Sequence, residues 1–230
     1  MNFTNGIALD GPAGAGKSTI AKIIAKRLGL PYLDTGAMYR AMALFMEQNH
    51  IDPSDQDAVS RACRRADISI AYQDGGQVTL LDGVNVNAMI RTEQISQMAS
   101  VFSANGDVRR RLVELQQKLA QETPVVMDGR DIGTVVLPDA VCKIYLTASV
   151  RVRAERRLKE DLARGMQTTL EKLEQEIAER DERDSNRAIS PLRQADDAVL
   201  LDTSDLTIEE VTDKILACYR NAAADEGLTV

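Results

Sequence analysis

The chain has 230 residues, of which 44% are hydrophobic and 27% charged, the balance of an ordinary globular protein rather than a disordered, collagen-like or membrane-embedded one. Lys and Arg number 28 against 35 Asp and Glu, a net charge of −7, so no general basic field exists to attract nucleic acid. An anionic ligand must therefore be held by local positive charge.

Three widely spaced cysteines, Cys63, Cys142 and Cys218, fit neither a disulfide framework nor a clustered zinc site. They suggest a reducing, cytoplasmic setting. The stretch from Met1 to Asp10 lacks the basic start and apolar run of a signal peptide, and no run of about 18 apolar residues occurs, so a soluble chain without membrane association is expected. The single histidine, His50, has no acid or nucleophile beside it and reads as a surface residue.

The chain opens as strand, glycine loop and helix: Ile7-Ala8-Leu9, then Asp10 to Gly16, then Lys17 to Leu28, with Ile20, Ile23, Ile24 and Leu28 at helical spacing and Gly29 as the stop. A short strand at Tyr32-Leu33 precedes Asp34-Thr35-Gly36 and a helix from about Ala37 to Gln48, with Thr35 as its expected cap. A polar helix near Asp55 to Ala66 follows. Alternation at Ile68, Ile70 and Tyr72, a turn at Asp74-Gly75-Gly76, and alternation at Val78 and Leu80 before Asp82-Gly83 predict a small antiparallel insert.

Two helical stretches, about Glu93 to Ala104 and Asp107 to Gln121, lead to a buried strand, Pro124 to Asp128, and a loop, Gly129-Arg130-Asp131. Val141 to Leu146 and Ala198 to Leu201 read as strands. Ser149 to Arg164, Thr168 to about Asp184 and Ile208 to Tyr219 read as helices. Strands alternating with helices imply an α/β fold whose parallel sheet is covered on both faces and binds ligands at the carboxyl ends of its strands.

Gly11-Pro12-Ala13-Gly14-Ala15-Gly16-Lys17-Ser18 fits G-x-x-x-x-G-K-[ST] between a strand and a helix, the context in which backbone N–H groups and a helix N-terminus cradle phosphates. Lys17 can reach the β and γ phosphates of ATP and the Ser18 hydroxyl can ligate Mg2+, with Thr19 in the same nucleotide-binding turn. Asp128, closing an apolar strand, is the candidate second Mg2+ acid, although an acid there can also simply cap a turn. No Asn-Lys-x-Asp segment is present, which argues against a regulatory GTPase.

Arg40, Arg109 and Arg130 stand where helices begin or strands end, positions suited to an anion as well as to solvent. Arg151 to Arg193 holds nine arginines and ten acids, too balanced for a nucleic-acid patch. Within it Leu170, Leu173 and Ile177 form an inward stripe that continues as Arg180, Asp184 and Arg187. Inward charges are costly unless paired or liganded, so these three line an anion-filled cleft or form an internal ion-pair network. In the preceding helix Arg153, Arg156 and Arg157 share a face opposite Ala154, Leu158 and Leu162, either as a solvated face or as a lid that swings arginines onto a transferring phosphoryl group. A phosphate loop with many arginines and no evident general base suits phosphoryl transfer to an acceptor that is itself a phosphate.

Gly11 to Ser18, Asp34-Thr35-Gly36-Ala37-Met38-Tyr39-Arg40, Asp128 to Thr134 and Arg180 to Arg187, in order across nearly the whole chain, resemble the bacterial cytidylate kinase family. The resemblance implies a P-loop three-layer fold with a core (1–54, 99–150 and 188–230), a monophosphate-binding insert (55–98) and a helical lid (151–187). It implies an enzyme of pyrimidine metabolism that uses ATP and Mg2+ to phosphorylate CMP and dCMP; no long apolar helix face suggests obligate assembly, so a cytoplasmic monomer is expected. Arg40, Arg130 and Arg187 would grip the acceptor phosphate, with Thr35 and Arg180 nearby, and Asp184 would read the ribose hydroxyls. Ser100, Arg109 and Asp131 would face the base, where an acid suits the cytosine amine and opposes the uracil carbonyl. Lys17, Arg130, Arg153 and Arg157 are then the expected catalytic cations. A kinase for another small acceptor and an ATP-binding sensor without turnover remain as rival readings.

Overall fold

The computed structural model describes residues 6–73 and 75–227, and the chain divides into two compact units, Met1–Pro31 with Pro124–Val230, and Tyr32–Thr123. Met1 to Asn5, at the start of the stretch read for a signal peptide, and Asp74 of the expected turn lie outside the described residues.

In the first unit the apolar runs become parallel strands. β1 (Ile7–Asp10) lies between β6 (Val126–Gly129) and β7 (Cys142–Thr147), and β7 pairs in turn with β8 (Val199–Asp202), all parallel. β1 and β6 are buried along their whole length, as continuous apolar runs in a parallel sheet should be. In the register Asp10 sits opposite Gly129 on one side and Tyr145 on the other. The chain therefore leaves β1 and β6 at the same sheet edge, where ligands bind in such folds.

Helix α1 (Lys17–Leu28) buries Ile20, Ala21 and Ile24, and ends where Gly29 adopts a left-handed conformation with φ 67°. Helix α8 (Ile208–Asp225) starts at a capping box of Thr207 and Glu210 and runs past the expected end at Tyr219. The alanines at 222–224 prolong it, being strong helix formers. α6 (Val150–Ala163) and α7 (Leu170–Asn186) share a small core of Ala154, Leu173 and Ile177, flanked by Val150, Leu158 and Leu170. Leu162, assigned to that apolar face by its spacing, is instead 57% exposed, because α6 ends one residue later and nothing covers it.

The second unit begins with the short β2 (Tyr32–Asp34), followed by α2 (Thr35–Gln48), a mostly buried helix, and α3 (Gln56–Arg65). Thr35 is not the cap of α2. Asp34 is: its carboxylate accepts the Ala37 N–H at 2.9 Å, and a charged acceptor at a helix N-terminus outcompetes a hydroxyl one residue on. His50, just beyond the helix, is exposed.

The antiparallel insert forms as β3 (Ile68–Gln73), β4 (Gly76–Leu81) and β5 (Val84–Asn85). The face of β4 differs from the expected one. Ile68 pairs with Leu81 and Ile70 with Thr79, and directly opposed residues share a face, so Thr79 and Leu81 are the buried pair rather than Val78 and Leu80. After a 3-10 turn at Met89–Arg91 come α4 (Glu93–Phe102) and α5 (Gly106–Glu122), the latter capped by Asn105. No helix among the described residues is long and apolar enough to cross a membrane.

Candidate active site

The phosphate loop is held in shape by two glycines. Gly11 has φ 145°, and a Cβ there would lie 1.9 Å from the Leu146 carbonyl oxygen of β7; Gly14, at φ 76°, would press a Cβ to 3.1 Å from that of Arg153. Lys17 opens α1 from inside the loop, 5% exposed, and its Nζ donates to the Pro12 carbonyl at 2.7 Å. Burial and the neighbouring Arg130 push its pKa down to about 7, against the opposing pull of Asp128 and Asp10. The next residue, Ser18, donates its hydroxyl to the Asp128 carboxylate at 2.8 Å, while Thr19 is exposed. A hydroxyl and a carboxylate, both hard oxygen donors, fit Mg2+, which keeps most of its other positions for water and substrate phosphate.

Two residues beyond Asp128, Arg130 is half-buried, and its Nε donates to Asp184 of α7 at 2.9 Å. Burial works against its charge, but Asp184, Asp128 and Asp181 outweigh that and raise its pKa above the usual value. At Asp184 burial pushes the carboxyl up, yet Arg130, Arg180 and Arg187 hold it below the ordinary range. Arg187 also lies 3.9 Å from Asp131. The inward stripe of α7 thus runs from buried Leu173 and Ile177 through half-buried Arg180 to buried Asp184 and half-buried Arg187, as its spacing predicts. The pairing of Asp184 with Arg130 adds the internal ion pair that the spacing left open as an alternative.

The arginines of α6 do not form one face. Arg153 is 4% exposed and donates to the carbonyls of Ala148 at 2.8 Å and Ala13 at 3.0 Å, with Asp181 at 2.6 Å. Arg156 binds Thr203 instead, and Arg157 lies 3.6 Å from Asp161 and from Glu176. A helix face read at four-residue spacing cannot show that one of its cations turns back into the phosphate loop.

In the second unit Arg40 lies 3.0 Å from the Asp34 carboxylate, beside buried Thr35. Arg109, buried on α5, donates to the Ser103 carbonyl at 3.3 Å and stands over the Tyr39 ring at 5.4 Å. Tyr39 and Arg40 are consecutive, so Arg109 is brought to the start of α2. The Ser100 hydroxyl is buried with no hydrogen-bond partner among the described residues.

Sequence reasoning passed over Asp10, Asp34, Tyr39 and Asp181. Asp10 and Asp34 both end strands, the same signal that singled out Asp128. Tyr39 and Asp181 lie inside the Asp34–Arg40 and Arg180–Arg187 motifs but carry no signal of their own, since a ring under a guanidinium and a distant ion pair are seen only in three dimensions.

Residues 7–221 match the cytidylate kinase family. A cytidylate kinase of Carboxydothermus hydrogenoformans is 50% identical over 210 residues, covering 91% of this chain and 95% of that protein. One of Lactobacillus gasseri is 48% identical over 215 residues, covering 94% of each. Among solved structures, an uncharacterized protein of Eubacterium ventriosum superposes with a TM-score of 0.50 at 13% identity, covering 94% of this chain and 97% of that one, a likeness of fold alone. With the phosphate loop, the parallel sheet and the long-range identity in agreement, the chain belongs to the cytidylate kinase family of nucleoside monophosphate kinases.

Proposed function

We propose that the enzyme transfers the γ-phosphoryl group of ATP to CMP and dCMP, giving CDP and dCDP, as a cytoplasmic monomer of pyrimidine nucleotide metabolism. An oxygen of the acceptor phosphate attacks the γ-phosphorus in line, the new P–O bond forming as the bond to the leaving ADP oxygen breaks. A phosphate oxygen is already ionised, so no general base is required.

The observation that carries this reading is the half-buried Arg130, which sits two residues beyond Asp128 and is fixed by Asp184 at 2.9 Å. Its charge acts on Lys17, so the phosphate loop adjoins a second, rigid cation suited to another anionic group. Lys17 would bind the β and γ phosphates, with the backbone of Gly11, Pro12, Ala13, Gly14, Ala15 and Gly16 and the first turn at Ser18 and Thr19 completing the cradle. Ser18 and Asp128 would hold Mg2+, which when bound neutralises charge on the phosphates.

For the acceptor, the proposed groups are Thr35, Arg40, Arg130, Arg180 and Arg187 for its phosphate and Asp184 for the ribose. Asp131, Arg109 and Ser100 suit the donor and acceptor edge of cytosine. The lid, proposed as 151–187 against a core of 1–54, 99–150 and 188–230 and an insert of 55–98, carries Arg153 and Arg157. Its closure would exclude water that could otherwise accept the phosphoryl group.

The test is ADP release with Mg-ATP and CMP, dCMP, UMP, AMP or shikimate, beside Lys17→Ala. Turnover confined to CMP and dCMP and lost in the variant is expected. A preference for UMP would overturn the base assignment, and silence with every acceptor despite ATP binding would overturn phosphoryl transfer.

A further inference from the structure

Asp10 closes β1 one residue before the phosphate loop, is only 4% exposed, and has no part in the loop motif itself. Its carboxylate instead reaches across to the chain that follows β6: Oδ1 accepts the Ile132 N–H at 2.8 Å and Oδ2 the Gly133 N–H at 2.7 Å. These two amides open a π-helical turn, Ile132–Val136, whose first N–H groups have no earlier turn to bind. Their neighbour is Asp131. The Asp131 carbonyl is held from the other side by the N–H groups of Val135 at 2.9 Å and Val136 at 3.2 Å. The peptide on which Asp131 stands is thus clamped by its own turn and by a carboxylate more than a hundred residues earlier in the chain.

A buried acid is an expensive way to satisfy two amides. Burial pushes the Asp10 carboxyl up to about 6, the two N–H donors pull it back, and nearby Asp131 adds a like charge. Lys143 and Asp10 also pack around Gly133 so closely that a Cβ there would lie 3.3 Å from Lys143 Cδ and 3.4 Å from Asp10 Oδ2. The contact is therefore confined on both flanks, leaving the Asp131 backbone little freedom.

We propose that Asp10 is a positioning residue for base selection, setting the direction in which Asp131 is presented to the acceptor by anchoring the Ile132 and Gly133 amides. This rests on the reading of Asp131 as the group that meets the base. Asp10 acts on the base through the peptide backbone that carries Asp131. It transmits order from the centre of the sheet to the loop that chooses the acceptor.

Asp10→Asn is the direct test, since the amide can accept one N–H but turns its own NH2 toward the other donor. The ratio of kcat/KM for CMP over UMP should fall about tenfold, the worth of roughly one hydrogen bond, while the Kd for ATP changes less than about twofold. Gly133→Ala perturbs the same contact from the opposite side and keeps Asp10, so it reads the effect even if the first variant does not fold; its ratio should fall in the same direction. Asp131→Ala separates the two levels of the argument. If it leaves the ratio unchanged, Asp131 does not read the base, and the inference falls with that assignment. If Asp131→Ala collapses the ratio while Asp10→Asn and Gly133→Ala preserve it, the role of Asp10 alone is overturned. An equal loss of ATP and CMP affinity in Asp10→Asn would assign the residue to the phosphate loop instead.

Discussion

The guanidinium of Arg153 meets the Asp181 carboxylate at 2.6 Å while another of its nitrogens donates to the Ala13 carbonyl at 3.0 Å, so one buried side chain ties α6 and α7 to the phosphate loop. A fork with fixed donors suits this task, and a lysine point charge does not. Order in the nucleotide cradle is thereby coupled to order in α6 and α7.

Arg153→Ala should lower stability by about 2 kcal/mol, below the range for fully buried pairs because Asp181 is partly exposed, and so lower Tm by roughly 4–8 °C. KM for ATP should rise more than KM for CMP, and Arg153→Lys should not restore it. Thermal melts with two-substrate kinetics check this, and an unchanged KM for ATP would remove the coupling.

Ser18 and Asp128 share a 2.8 Å hydrogen bond, so each holds the other in place, as the proposed Mg2+ site requires. In Asp128→Asn the Mg2+ concentration for half-maximal rate should rise about tenfold or more, with Ser18→Ala shifting it the same way. A Mg2+ titration at saturating ATP and CMP measures this.

The Ser100 hydroxyl is buried without a hydrogen-bond partner among the described residues, a state that costs about 1–3 kcal/mol. Ser100→Ala should leave the free protein at least as stable as before and yet weaken CMP binding. Melting curves and calorimetry on one preparation would show both, and a loss of stability in the free variant would mean that the hydroxyl is structural.

The pKa of Asp10 is raised from an ordinary 3.8 to about 6 in the folded chain, chiefly by burial. Its folded form thus holds a proton more tightly than the unfolded form does. That contribution is fully present below about pH 4 and is lost as pH rises through about 6, a change on the order of 3 kcal/mol. Denaturant titrations from pH 4 to 7 should show this decline, and Asp10→Asn should flatten it.

Gly11→Ala would place a Cβ 1.9 Å from a backbone carbonyl that cannot yield, at a φ of 145° that side chains rarely adopt. It should destabilise the protein by more than about 4 kcal/mol, read as loss of soluble yield or of the cooperative melt.

Residues close in the chain left readable marks. The phosphate loop was legible because its spacing and its strand-to-helix setting are both local, and the α7 stripe from Leu173 to Arg187 was legible because helical periodicity carries through a change from apolar to charged residues. The antiparallel insert was visible as alternation, yet its inner face on β4 was not, since the pairing of Ile70 with Thr79 chooses it.

By itself, then, the sequence determined the strands, the helices, the phosphate cradle and, through its motifs, the family to which the chain belongs. Tertiary structure alone decided that Asp34 caps α2, that Arg153 turns into the phosphate loop, and that Asp10 anchors the amides beside Asp131. The reason is physical. Propensity and periodicity act over a few residues, whereas the partner of a buried charge is chosen by whichever groups the folded sheet brings within about 3 Å, at any distance along the chain.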